Sequence, residues 1–471
     1  MPTRVRNLML FVCASTLSMC RCDGPPPPGQ DGGTDAGAQV VDACPALNGT
    51  VVSKSQDITQ DETWVGDGTV YRVTFSITVR PGATLTLGPC ARVQVNPGLE
   101  ILVAGDVPGA RPAKLLAAGT PTQRVRISRF DEARPWGDIR AYGPNSFLDF
   151  SYTDVVGAGS LNTVDGWMVM ARGTPSNTAV DKVVRFIGVT LTGSQGGALV
   201  LEAGAAFSDD SADIVISGGG LVPPGPAAHG GAALQVSPLA LNSLPRSLTI
   251  ADNNPNTIRV SGAPGSLAFE RDVTVKNLGV PYYFYFDRVR VHSKTATPTL
   301  TFEAGVEARF DDYLMVGVGA NTGPAEPGKL IAVGTAMQPI VFTGAKKLKT
   351  SGDWPGVYLH QAPGSQLTHV RIEAAGAFNG IVSANCRPSG TSDWAALFIG
   401  AGDDSWAPSA GDFSNVSIVN SASHGINAMW RSSTFGPDLT GGFTFSNIAG
   451  CRQTRNGTPT GCGTQLSCLV P

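Results

Sequence analysis

The residues able to do chemistry are few and widely spaced. Five histidines, His229, His292, His360, His369 and His424, are spread over 471 residues. None sits in an HExxH pair or beside a nucleophile motif, and an imidazole with no orienting partner has no assigned proton to move. No catalytic residue is assigned on this pattern. Acidic residues pair at Asp131-Glu132, Asp311-Asp312 and Asp403-Asp404, and a trio stands at Asp209, Asp210 and Asp213. Clustered carboxylates can hold a hard cation, so the trio is the candidate Ca²⁺ site, although it matches neither an EF-hand nor a calcium-binding nonapeptide. No other metal and no cofactor are expected. Arg92, Arg124, Arg126, Arg288, Arg290 and Arg309 lie in or beside alternating runs. Stacked on one face, they would form a basic strip able to attract anionic glycans. Trp394, Trp406 and Trp430 offer aromatic faces for a sugar groove or for closing one end of the fold. With 34 Lys and Arg against 37 Asp and Glu, and no basic domain, nucleic acid is disfavoured as a partner.

The cysteines point to an oxidising compartment. Beyond Cys13, Cys20 and Cys22, six remain: Cys44, Cys90, Cys386, Cys451, Cys462 and Cys468. No CxxC or zinc-ligand spacing occurs, so metal and thioredoxin-type chemistry are set aside in favour of up to three disulfides. Locality favours Cys44 with Cys90 and groups the others near the C-terminus, with the full connectivity left open.

The first residues carry an address. Arg4 and Arg6 precede an apolar run, Leu8 to Leu17, that is too short to span a bilayer, the pattern of a signal peptide over residues 1–19. Leu17-Ser18-Met19-Cys20 resembles the lipobox of bacterial lipoproteins, which implies lipid modification of Cys20. Residues 20–43 then run through four prolines into Gly and Asp, a solvated tether with nothing to bury.

Positioning falls to short strands. Glycine supplies 58 residues and charged types only 15% of the chain, against typical shares of about 7% and about 25%. Runs such as Arg92-Val93-Gln94-Val95, Arg124-Val125-Arg126-Ile127, Asp213-Ile214-Val215-Ile216 and Arg288-Val289-Arg290-Val291 alternate with period two, which puts aliphatics on one face of a half-buried strand. Gly, Pro and Asn bound these runs as corners. Residues 85–127 also align without a gap on residues 300–342, with Leu99/Leu314, Lys114-Leu115/Lys329-Leu330, Gly119-Thr120/Gly334-Thr335 and Gln123/Gln338 identical. An internal repeat in strand-like sequence, with no linker after residue 43, argues for a stacked solenoid rather than a sandwich or propeller.

The pieces Lys329-Leu330-Ile331-Ala332-Val333-Gly334-Thr335, Pro339-Ile340-Val341-Phe342-Thr343, Trp354-Pro355-Gly356-Val357 and Leu367-Thr368-His369-Val370-Arg371-Ile372 resemble the right-handed parallel β-helix repeats of bacterial surface lipoproteins, a pectate-lyase-like superfamily fold. Leu115 to Thr120 and Trp136-Gly137-Asp138-Ile139 carry a weaker copy. The resemblance implies an all-β, single elongated right-handed parallel β-helix over residues 44–471. About fifteen coils of about 20–25 residues are expected, with a duplicated module near 64–159 and 280–377 and a cap near 440–471. The expected function is a non-catalytic cell-envelope lipoprotein for surface display, adhesion or glycan binding. It would be a monomer, held to the membrane by its lipid at the outer membrane or cell surface, or secreted where Cys20 is unmodified. The alternative is a carbohydrate-active enzyme, a polysaccharide lyase or glycoside hydrolase, which fold analogy alone supports.

Overall fold

Strand Arg92–Val95 shows what the alternation does: Val93 and Val95 are buried while Arg92 and Gln94 face outward. In the computed structural model such strands make up nearly all of the regular structure, and among the described residues the only helices are three short 3-10 turns. The structure describes residues 43–470 except 106–110, 161–165, 177–178, 221–231, 263–266, 286–287, 321–325, 361, 378–393, 401–407, 430–437 and 457–465. The chain divides between Val41 and Asp42 into two units, and everything described here belongs to the second. The signal peptide, Cys20 and the tether lie outside the described residues. None of the described helices is long and apolar enough to cross a membrane.

The strands form five sheets whose pairings are parallel, apart from one antiparallel pair at the C-terminal end. One sheet of thirteen strands, the long sheet, runs from Ile77–Val79 to Phe443–Ile448. Two sheets flank its first part, one of eight strands beginning at Val51–Lys54 and one of six beginning at Glu62–Trp64. Two others flank its later part: eight strands from Leu267–Phe269 and five from Val273–Val275. The chain visits three sheets in rotation, so each strand pairs with the strand about one turn of chain later. Side chains in register therefore stack into ladders. Val93, Ile127, Val155, Leu191, Ile216 and Ile250 form one such inward column through consecutive parallel pairs, all buried. Burying an aliphatic side chain contributes roughly 1.5–3 kcal/mol, and each rung needs the next to cover it.

The rotation changes in the middle. Pro238–Ser243 forms a 3-10 turn in the place of a strand of the six-stranded sheet. Asn242 Nδ2 donates to Asp272 O at 2.9 Å, and Thr274 N donates to Asn242 Oδ1 at 2.8 Å, so Val273–Val275 lies directly on this turn. Between those two elements the chain passes three strands, Thr249–Ala251, Ile258–Ser261 and Leu267–Phe269, where every other such interval among the described residues has two. The first flanking sheet ends and a new one begins, while the long sheet continues. The repeat is displaced as a result. Strand Arg92–Val95 of the first copy belongs to the first eight-stranded sheet, whereas its counterpart Glu307–Phe310 belongs to the long sheet.

Corners follow the chemistry of their residues. Gly157, Gly193 and Gly218 repeat positive φ values of 72°, 70° and 63° where successive strands of the first eight-stranded sheet end. Glycine adopts this region without steric cost. At the run expected over Asp213 to Ile216 the strand is instead Val215–Ser217. Asp213 takes φ 55° as the corner, which leaves Ile214 and Ile216 buried and turns Val215 outward.

Among the described residues two disulfides tie the ends: Cys44–Cys90 and Cys451–Cys468, each with Cα atoms 5.3 Å apart. The second pins strand Leu466–Val470, which runs antiparallel to Gln453–Asn456. Cys386 and Cys462 lie outside the described residues.

Candidate binding cleft

Most residues marked by the sequence are occupied within the scaffold. Arg92 and Arg126 are register neighbours on the first eight-stranded sheet, followed by Asp154. Arg124 reaches the Asp154 carboxylate at 2.6 Å and also donates to Gly188 O at 2.9 Å. Arg290 lies on the second eight-stranded sheet with Arg288 just before its strand, and Arg309 lies on the long sheet, paired with Glu307 at 2.6 Å. The six arginines thus occupy three sheets and do not align as one strip. Arg92, Arg124 and Arg126 come together on the first eight-stranded sheet, and Arg288 and Arg290 on the second.

The acidic trio is also drawn apart. Asp209 pairs with Lys182, and Asp210 with Arg185 at 2.6 Å; Arg185 meets Asp149 at 2.8 Å as well. Hydrogen bonds from Ser208 and Arg185 hold the Asp210 carboxyl below its ordinary range. Asp213 donates its backbone N–H to Ser247 Oγ at 2.7 Å. Among the described residues no group of three or more His, Cys, Asp or Glu is arranged to hold a metal ion. Trp394 is half-buried, while Trp406 and Trp430 lie outside the described residues.

The outward face of the long sheet is different. Its central row reads Arg140, Met170, Val200, Gln235, Arg259, Tyr283 and Arg309 in register. Arg140 and Arg259 are only 5% and 3% exposed, so charge here is held under cover. Burial opposes the Arg140 charge, but Asp138 at 2.5 Å outweighs it and keeps the guanidinium charged. Arg259 lies over the Tyr285 ring at 4.0 Å, and burial pulls its guanidinium down from the ordinary value. Burial likewise pushes the neighbouring Asp311 carboxyl up.

Beside this row is a cleft of about 600 Å³. It forms where four turns of chain leave the long sheet, at the change of rotation. Arg172 and Glu202 close consecutive strands in register, Trp167–Arg172 and Gly197–Glu202. Gln235 and Ser237 come from the next turn and Ser261 from the one after, with Ala268 supplied by the first strand of the new flanking sheet. Gln235 Nε2 donates to Glu202 Oε1 at 3.4 Å. Pro175, Pro238 and Leu239 add apolar surface. The mixture suits hydroxyl-bearing ligands: an amide, hydroxyls and a carboxylate can exchange hydrogen bonds, and the prolines and Leu239 can meet C–H faces.

Sequence reading did not single out this cleft, because its residues come from four separate turns of the chain. One signal was there: Arg172 and Glu202 each end an otherwise apolar run. Comparison with protein-family models, curated proteins and solved structures gives no match to this chain.

Proposed function

We propose that the chain is an exported, lipid-anchored envelope protein whose body is a single right-handed parallel β-helix, serving as a non-catalytic scaffold that binds glycan. The observation that carries this reading is the cleft: a concave site of about 600 Å³ with polar groups converging over apolar walls, set on a scaffold where Arg124, Arg185 and Arg309 are each matched by a carboxylate. The parallel sheets, the three-fold rotation and the stacked ladders support the β-helix. Sequence supports the remainder, through Arg4, Arg6, the apolar run to Leu17, Cys20 and the tether. The Pro-, Gly- and Asp-rich composition of residues 20–43 is that of a tether, as display or adhesion requires.

The test is a glycan array with the mature protein, followed by product analysis on every glycan retained. Binding without cleavage is the expected result. Cleavage that survives purification and is lost on substituting Glu202 would replace the scaffold reading with the enzyme. Anchoring is checked separately by labelling cells with a fatty-acid analogue: the wild type takes up label and Cys20→Ser does not.

A further inference from the structure

We propose that the cleft takes an acidic saccharide, with Arg172 as the anchor for its carboxylate. This rests on the glycan-binding reading and adds the chemical class of the ligand. Several arginines on or beside strands are matched by carboxylates, whereas Arg126 and Arg290, like Arg172, make no ion pair among the described residues but do not line this cleft. Arg124 is matched by Asp154, Arg140 by Asp138, Arg185 by Asp149 and Asp210, Arg309 by Glu307 and Arg371 by Glu373. Arg172 is exposed on the rim of the cleft and makes no ion pair among the described residues, although Glu202 is its register neighbour. Glu202 instead accepts a hydrogen bond from Gln235, on its far side.

The result is a separation of charge within one cavity. An unmatched guanidinium fork fits a carboxylate through two parallel hydrogen bonds, a geometry an ammonium cannot reproduce. Glu202, with Gln235 beside it, can only accept from a ligand, and sugar hydroxyls are the donors that fit without adding positive charge. Ser237 and Ser261 lie farther along the same cleft, where donors and acceptors are both available. A ligand meeting all of these carries one acidic group and several hydroxyls. The volume lies in the range of about 300–1,000 Å³ typical of small-ligand sites. The Arg strip expected from the sequence would have been a diffuse attractor; Arg172 is a single anchor in a shaped site.

The experiment measures binding of the full mature chain in detergent by calorimetry. The probes are trisaccharides of glucuronate, galacturonate and mannuronate, the carboxyl-reduced neutral counterpart of each, and inorganic phosphate. At least one uronate trisaccharide should bind, its neutral counterpart at least about tenfold more weakly, as expected for loss of a charged hydrogen bond. Arg172→Gln should abolish that difference and Arg172→Lys should restore it only in part, while Arg124→Gln leaves it intact. Unchanged melting temperatures confirm that each variant is folded. Equal binding of acidic and neutral sugars, indifferent to Arg172→Gln, overturns the anchor and leaves the glycan reading standing. Phosphate binding as tightly as every uronate, with the same sensitivity to Arg172→Gln, overturns the saccharide assignment in favour of a simple anion site. Absence of binding by all acidic and neutral sugars overturns this inference together with the glycan reading.

Discussion

The two copies of the repeat preserve strand order and little else. In the first, the inward positions Leu87, Val95 and Ile127 are aliphatic; in the second, the matching Phe302, Phe310 and Phe342 are aromatic and in mutual contact, with ring centroids 4.9 Å apart for Phe302–Phe342 and 6.0 Å for Phe310–Phe342. Each copy is followed by a fully buried tryptophan whose indole N–H is satisfied by a backbone carbonyl one turn on: Trp136 donates to Val156 O at 3.0 Å and Trp354 to Glu373 O at 2.8 Å. After these the outward residues part company. Asp138, Arg140 and Tyr142 stand in the first copy where Gly356, Tyr358 and His360 stand in the second. Corners and the indole bolt are thus what the scaffold requires, whereas core size and surface chemistry are free to drift as long as each neighbourhood stays self-consistent.

The sharpest way to test that contrast is to remove the bolts. Trp354→Ala should cost about 5 kcal/mol and Trp136→Ala about 3 kcal/mol, the range for deleting a large buried aromatic. Trp354 is placed higher because it also stacks on Phe310, with centroids 4.6 Å apart and planes at 20°. Urea unfolding of both variants checks the ranking, and an equal or reversed order breaks the idea that the second copy depends more on aromatic contact.

Next come the two staples, which close loops of different length. The sequence separations are 46 for Cys44–Cys90 and 17 for Cys451–Cys468. On chain entropy alone their removal should cost about 4 and about 3 kcal/mol. Paired Cys→Ser variants measured against the wild type under oxidising conditions give the comparison; a larger loss at the C-terminal staple shows that pinning the antiparallel strand matters more than loop closure.

Acid should distinguish the copies as well. Burial pulls the His360 imidazole down to about 4 from its ordinary value near 6.5. The unfolded chain therefore takes up a proton that the fold refuses, so this contribution is intact above pH 6.5 and declines as pH falls towards 4, by roughly 3 kcal/mol in all. The matching place in the first copy holds Tyr142 in place of an imidazole. Hydrogen exchange across pH 4–7 should show strand Val357–Leu359 loosening before strand Ile139–Tyr142, and His360→Phe should remove the difference. Identical pH profiles for wild type and His360→Phe count against it.

The smallest effect lies at a corner. Gly157 and Ala374 directly follow the carbonyls that receive the two indoles, with φ 72° and 60°. An alanine there is strained, so Ala374→Gly should stabilise by about 1 kcal/mol and Gly157→Ala destabilise by a similar amount. Thermal unfolding of both variants reads the sign, and a loss on Ala374→Gly would show that its methyl packs usefully.

Much of this was legible beforehand. Alternation in Arg92-Val93-Gln94-Val95 marks a strand and its buried side because period two is a local property. The repeat fixes the order of strands for the same reason. What it cannot announce is the sheet each strand joins, since that depends on how many corners the chain has turned before it, and one extra strand near Leu267–Phe269 relabels everything downstream. The charged residues were misleading for a related reason. Lys182 and Arg185 meet Asp209 and Asp210 only because one turn of chain brings them back alongside each other, so an acidic cluster in sequence became two ion pairs in space.

The extra strand has a consequence for how such a protein diversifies. Duplicated sites usually begin as twins aligned along one side of a stack, where a long polymer could grip both. Here two of the three strand positions of the second copy join other faces, while Thr299–Phe302 stays on the stack that continues the six-stranded sheet through the 3-10 turn. A residue gained in both copies on Arg92–Val95 and Glu307–Phe310, or on Ile101–Ala104 and Val316–Val318, would lie on two different sheets, so such a pair could not mature into a tandem track for a single straight chain. At those positions selection could act only on each face alone, or on the junction where the shift occurs, and the junction is where the cleft opens.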